Sequence, residues 1–248
     1  MRIAVLGTGV VGRTLAARAA EVGHETRLGT RDVEASLAST NETRDGSGTL
    51  AQWQANHPDI TIGTFADAVD GADIVLNGTN GEAALAVLEA AGNLAGKVIL
   101  DISNPLDFSQ GFPPRLFVSN DDSLAEQLQR HHPDARIVKS LNTVTASVMA
   151  DPRSVAEGDH TMFVAGDDAD AKAAVRALLE EFGWRDVLDL GDLKAARAME
   201  MYLPLWLRLM GAAGTPMFNV KVAREPKARV APGPDAAADA GPGRGDPS

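Results

Sequence analysis

The chain opens on Arg2-Ile3-Ala4-Val5-Leu6, an apolar, β-branched run long enough for one strand buried in a parallel sheet. It leads straight into Gly7-Thr8-Gly9-Val10-Val11-Gly12, a GxGxxG that starts a helical pattern with Leu15, Ala16, Ala19 and Ala20 on one face. Gly23 breaks that helix, and Glu25-Thr26-Arg27-Leu28 starts a second strand. The three glycines serve different mechanical ends. Gly7 makes the tight turn, Gly9 admits a pyrophosphate to the backbone, and Gly12 lets helix and strand pack closely. The helix N-terminus, with free N–H groups and the positive end of its dipole, would hold the phosphates. Glycine-rich turns are common, but this one stands between a strand and a helix with a second strand following. That is the context a dinucleotide-binding fingerprint demands.

The end of the second strand decides which dinucleotide. An NAD site usually has an acid about 20 residues past the glycines, which accepts a hydrogen bond from the ribose 2′-OH. Leu28 is the last clearly apolar strand residue, and Gly29 follows it. Thr30 and Arg31 come next, a hydroxyl and a guanidinium suited to a 2′-phosphate. Asp32 would serve as the ribose acid if the strand ran longer, and Arg31 with Asp32 also reads as a plain solvated pair at a loop. The pattern favours NADP over NAD.

The chain as a whole is acidic, with 23 Lys and Arg against 34 Asp and Glu, a net −11 over 248 residues. No basic block stands out, so neither nucleic acid nor an anionic membrane is an expected partner. The absence of cysteine excludes disulfides, thiolate catalysis and Cys-ligated metal. Its five histidines form no HExxH-type pair and no GxSxG elbow is present, so no metal site and no serine-based hydrolysis are expected. No signal peptide precedes the first strand, and the apolar stretch 199–213 is too short to span a bilayer and carries Arg208. A cytoplasmic protein is expected.

The rest of the chain alternates strand and helix patterns. Strands are expected at 60–62, 73–76, 97–102, 136–139, 161–165 and 186–190. Helices are expected at 50–55, 65–69, 82–91, from Ser123 to about His131, and at 170–182. Residues 33–58 are polar, with 41–48 reading as loop. This alternation implies an α/β fold, a doubly wound and mostly parallel sheet with right-handed crossovers. The expected organisation is a Rossmann-type dinucleotide-binding domain over 1–190, a small helical extension over 191–224, and a disordered tail over 225–248.

Ligands in such sheets bind outside the carboxyl ends of the strands. Asn77-Gly78-Thr79 and Ser103-Asn104-Pro105 fall there and would frame ribose and nicotinamide, or act only as turn formers. Asn142 and Thr143, after the sixth strand, are further candidates. Lys139 reads as a solvated strand-edge residue in preference to a catalytic base. Residues 106–120 look irregular and would form a loop over the site. In the segment 195–209, Met199, Tyr202, Leu203, Trp206 and Leu207 recur at helical spacings with Pro204 inside, so a kink or two helices is expected. Its all-round apolar character points to core, to a subunit interface and hence a homodimer, or to a lid over the substrate face.

Taken together these residues resemble the F420-dependent NADP oxidoreductase family over roughly residues 1–222. The resemblance rests on the Gly7–Gly12 fingerprint with Gly29-Thr30-Arg31, on Lys139-Ser140-Leu141-Asn142-Thr143, on Ala165-Gly166-Asp167-Asp168, and on the late Leu203-Pro204-Leu205 helix. It implies that Thr8 to Val11 meet the pyrophosphate and that Thr30 and Arg31 meet the 2′-phosphate of NADP. The implied chemistry is hydride transfer between nicotinamide C4 and C5 of coenzyme F420, a deazaflavin acting as small-molecule redox co-substrate. Such transfer needs proximity and orientation more than an acid–base dyad, and none is apparent. Two departures lie on the expected co-substrate side: a longer polar insert over 39–58, and the polar, Gly-rich Asn77–Gly81. Relatives of this fold also reduce flavins or metal chelates, and a protein that only senses NADP, without turnover, is the alternative from another class.

Overall fold

The computed structural model describes residues 1–43 and 45–225. Most of the expected tail, 226–248, lies outside the described residues. Among those described, eight strands form one sheet: β1 (Arg2–Leu6), β2 (Glu25–Thr30), β3 (Thr61–Thr64), β4 (Ile74–Asn77), β5 (Val98–Asp101), β8 (Arg136–Ser140), β9 (Thr161–Gly166) and β10 (Asp186–Asp189). A separate two-stranded ribbon pairs β6 (Leu106–Asp107) with β7 (Arg115–Leu116). The helices are α1 (Val10–Glu21), α2 (Val33–Ala38), α3 (Leu50–Asn56), α4 (Phe65–Val69), α5 (Gly81–Ala90), α6 (Leu124–His131), α7 (Ala146–Ala150), α8 (Ala169–Phe182), α9 (Ala196–Met201) and α10 (Leu203–Ala213).

The sheet order is β10-β9-β8-β5-β4-β1-β2-β3. Its right-hand six strands follow the Rossmann order, with the topological switch between β1 and β4. Central strands read as continuous apolar runs because both of their faces are covered; β4 and β5 are buried throughout. One face packs against Leu15, Ala16 and Ala19 of α1, Trp53 of α3, Met149 of α7 and Leu178 of α8. The other packs against Phe65 of α4, Leu88 of α5, Leu128 of α6 and Ala196 of α9. Edge strand β3 has no buried residue, which is how a polar TIGT segment is tolerated there.

The sheet is mostly parallel, as expected, with β9 antiparallel to β8 and β10 parallel to β9. Three expectations are corrected. β2 runs two residues past Leu28, because Gly29 and Thr30 pair with Gly63 and Thr64 of β3. The stretch 106–120 holds the β6–β7 ribbon. Finally, the extension is helical only to Ala213: beyond it the chain returns to the sheet, where Val220 O accepts from Thr161 N at 2.9 Å and Val222 N donates to Thr161 Oγ1 at 3.0 Å. The expected break near Pro204 is present, with Pro204 in the first turn of α10, where a missing N–H costs nothing.

Candidate active site

β1 ends at Leu6 and the chain turns at Gly7, whose φ of +105° lies in the left-handed region. Gly7 N–H donates to Gly29 O at 3.0 Å, and Gly78 N–H donates to Leu6 O at 3.1 Å, so the ends of β2 and β4 clasp the loop. Gly12, in the first turn of α1, presses so closely on this loop that a Cβ there would stand 1.8 Å from the Gly7 carbonyl oxygen. Gly9 differs, since a Cβ there would meet nothing within 4 Å. As N-cap of α1, Gly9 brings no side-chain cap, and the first turn holds no acid. Helices α2, α3, α4, α5, α6 and α8 are each capped by an Asp, Thr, Asn or Ser side chain. The orphan N–H groups of α1 therefore face open space with the positive dipole end behind them, a fit for pyrophosphate.

Two cavities flank this helix end. One, about 520 Å³, is lined by Thr8, Gly9, Arg13, Arg31, Asp32 and Ser36 among others. The second, about 440 Å³, is lined by Val10, Val11, Gly78, Thr79, Asn142 and Trp206 among others. Both fall in the size range of small-molecule sites. A dinucleotide laid across the N-terminus of α1 would reach both.

In the first cavity Asp32 is the N-cap of α2, its Oδ1 accepting from Ala35 N at 2.9 Å. That carboxylate oxygen caps the helix. Arg31 is exposed and has no hydrogen-bond or ion-pair partner among the described residues. Thr30 is buried, with its hydroxyl 2.7 Å from Ser36 Oγ, so of the pair Thr30 and Arg31 the guanidinium is the group presented. Arg13, which the sequence did not single out, donates from Nε to Thr8 O and from one terminal nitrogen to Gly48 O, both at 2.8 Å. Burial lowers its pKa, opposed by Asp45. It pins Gly48 to the glycine loop; the sequence signal is a lone arginine on the helix face that packs inward.

The polar strand ends on the second side turn largely inward. Asn77 is 0% exposed; it donates to Asp101 Oδ1 at 2.9 Å and accepts from Thr79 Oγ1 at 2.6 Å. Ser103 donates its hydroxyl to the same Asp101 oxygen at 2.7 Å. These two side chains brace the ends of β4 and β5 and leave Gly78 and Thr79 at the cavity wall. Asn142 uses both amide hydrogens, on Asn104 Oδ1 at 2.9 Å and Met199 O at 3.0 Å. Its Oδ1, Thr143 Oγ1 and Trp206 Nε1 are buried without a partner among the described residues. Of these three residues, Asn142 and Trp206 line the second cavity.

Lys139 corrects the sequence reading most sharply. It is 0% exposed, with Nζ 2.7 Å from Asp101 Oδ2 and 2.9 Å from Glu200 Oε1, and it donates to Ser103 O. Burial acts to lower its pKa, but Asp101 and Glu200 more than offset this and hold the ammonium above its ordinary value. Burial pushes the Glu200 carboxyl up, against the pull of Lys139. Neither is a solvated edge residue, because an unpaired charge is not left so deep in a protein.

The family model described as NADP oxidoreductase, coenzyme F420-dependent, matches residues 2–105. A solved structure from Arthrobacter sp. FB24, provisionally assigned as an F420-dependent NADP-reductase, is 53% identical, with a TM-score of 0.86 over 90% of this chain and 100% of that one. This chain belongs to the F420-dependent NADP oxidoreductase family. Another relative, the F420-dependent NADP reductase of Methanothermobacter marburgensis, is 29% identical over 84% of this chain and 92% of its own. The metalloreductase STEAP3 of Rattus norvegicus is 26% identical over 83% of this chain and 38% of its own. For this F420-dependent oxidoreductase family member the match to the family model covers β1 through β5. It takes in the glycine loop, Arg31, Asn77 and Asp101, and it stops before Lys139 and Glu200.

Proposed function

We propose that this chain transfers a hydride between NADP(H) and coenzyme F420, with Gly7–Gly12 holding the pyrophosphate and Arg31 the 2′-phosphate. The observation that carries the reading is the pairing at the end of β2: Arg31 without a partner among the described residues beside a cavity, Asp32 committed to the cap of α2. When bound, the reduced nicotinamide supplies a hydride from C4 to C5 of the deazaflavin, which also takes up one proton from solvent. The chain's part is to orient the two rings and keep water from between them. Thr79 and Gly78 form one wall of the second cavity, and Leu203 and Trp206 of α10 form another. Among its lining residues none is titratable, so the residues hold rings and transfer no proton themselves. Asn142 Oδ1 and Trp206 Nε1, unpartnered among the described residues on side chains that line this cavity, suit a carboxamide or a ring imide.

The reading includes a cytoplasmic setting and a homodimer. α10 buries only Leu203, and Leu205 is 55% exposed, so a second copy would cover its apolar face. No helix among the described residues is long and apolar enough to cross a membrane. Mixing the protein with NADPH and F420 and following the nicotinamide absorbance band tests the reading. Turnover with a flavin or an iron chelate in place of F420 would favour the second reading, which the likeness to STEAP3 brings in.

A further inference from the structure

We infer that the buried cluster Lys139–Asp101–Glu200 is a latch that sets the position of α10, and with it the co-substrate wall formed by Leu203 and Trp206. Resting on the reading above, it makes Lys139 and Glu200 positioning residues for the second substrate and not for NADPH. Lys139 is the next-to-last residue of β8, and Asp101 ends β5 beside it. Glu200 belongs to α9, three residues before Leu203, and is 1% exposed. Its carboxylate ties three elements at once: Oε1 takes the Lys139 ammonium at 2.9 Å and Ala125 N at 3.2 Å, and Oε2 takes Leu124 N at 2.8 Å. Those two N–H groups open α6, so the acid also sits at the positive end of that helix dipole.

Besides the latch, α10 is held by Leu203 and by the stack of Trp206 on Phe218, with ring centres 5.5 Å apart. Its only buried side chain is Leu203, and Tyr202 between the two helices keeps helical angles, so a shift of α9 is passed directly to Leu203 and Trp206. Asn142, itself on the cavity wall, takes hold of the same helix through Met199 O. Arg197 pairs with Glu126 of α6 at 2.7 Å on the half-exposed side of α9; this ties α9 to α6, whereas the Lys139 contact ties it to the sheet. Asp101 in turn holds Asn77, so the strand end carrying Gly78 and Thr79 and the helix carrying Trp206 share one buried anchor.

Glu200→Gln keeps the shape and removes the charge that Lys139 meets. Two readouts decide. Steady-state kinetics with NADPH and F420 should show the KM for F420 rising at least about fivefold, with the NADPH dissociation constant within about twofold of the parent. Trp206 emission, taken as the difference from matched proteins carrying Trp206→Phe, should shift in the substrate-free protein. Lys139→Met should act in the same direction; if it does not fold, Glu200→Gln still decides. A folded Glu200→Gln protein with unchanged Trp206 emission and unchanged KM for F420 would overturn the latch, even with a lowered melting temperature. The unsubstituted protein failing to turn over F420 would refute the proposed function, while the emission arm would still decide the latch.

Discussion

A Cβ on Gly12 would stand 1.8 Å from the carbonyl oxygen of Gly7, whereas one on Gly9, two residues past that carbonyl, would meet only open space. Two glycines of one motif thus do different work. Gly12→Ala should force helix and loop apart, lowering the melting temperature and the NADPH affinity together. Gly9→Val should leave the melting temperature of the free protein close to the parent and abolish NADPH binding, because the branched side chain fills the space over the α1 N-terminus. Calorimetry and a fluorescence titration with NADPH separate the two. Retained NADPH affinity in Gly9→Val would reduce the motif to a turn.

Arg31→Ala should weaken NADPH by about 1.5–3 kcal/mol, on the order of 10- to 100-fold, and leave NADH nearly unchanged, because only the 2′-phosphate contact is lost. Parallel titrations with both cofactors check this. Equal losses would remove Arg31 from the 2′-phosphate site.

Lys139→Met leaves two buried carboxylates without their cation and should cost about 3–5 kcal/mol near neutral pH. The pH dependence has a definite sign. The folded-state pKa of Lys139 lies above its ordinary value, so the contribution is fully present below that value, about 10.4, and is lost as pH rises through the folded pKa. The stability gap between parent and variant should therefore stay level from about pH 7 to 10 and close only above that window. Denaturant melts across the range would show it, and a gap that closes between about pH 7 and 9 would contradict the assignment.

The segment after α10 should matter although it is not regular structure. Asn219 Nδ2 donates to Thr161 O at 3.0 Å and lies 2.8 Å from His160 Nδ1, Phe218 stacks on Trp206 with ring centres 5.5 Å apart, and Arg224 pairs with Asp186. Ending the chain after Gly214 should lower the melting temperature by on the order of 5 °C relative to ending it after Glu225. Identical melting curves would mean that this strap contributes nothing.

Much of this is legible in the residues. Local pattern marks the strand, glycine loop, helix and second strand, because buried parallel strands and turn glycines leave a trace within a few residues. The eight sheet strands are legible for the same reason. Direction is not: antiparallel β9 has the same apolar run, TMFVA, that a parallel strand would have. Lys139 reads wrongly as solvated because its partners, Asp101 and Glu200, lie 38 and 61 positions away, and nothing local distinguishes a solvated lysine from one buried in a pair. Asn77 and Ser103 do stand at strand ends, yet their side chains turn to Asp101, since a polar group at a strand end can brace as readily as it can bind. Asp32 is ambiguous in sequence, and its capping bond from Ala35 N depends on the helix start at Val33, which the polar stretch after Arg31 does not announce.

The most direct test of the whole account is the rate of NADPH oxidation on addition of F420, measured at the nicotinamide band beside an NADH control. NADPH should be consumed only when F420 is added, at a rate at least about tenfold above that of NADH, and Gly9→Val should lose this activity. A protein that binds NADPH but consumes none with F420, or one that uses NADH equally well, would contradict it.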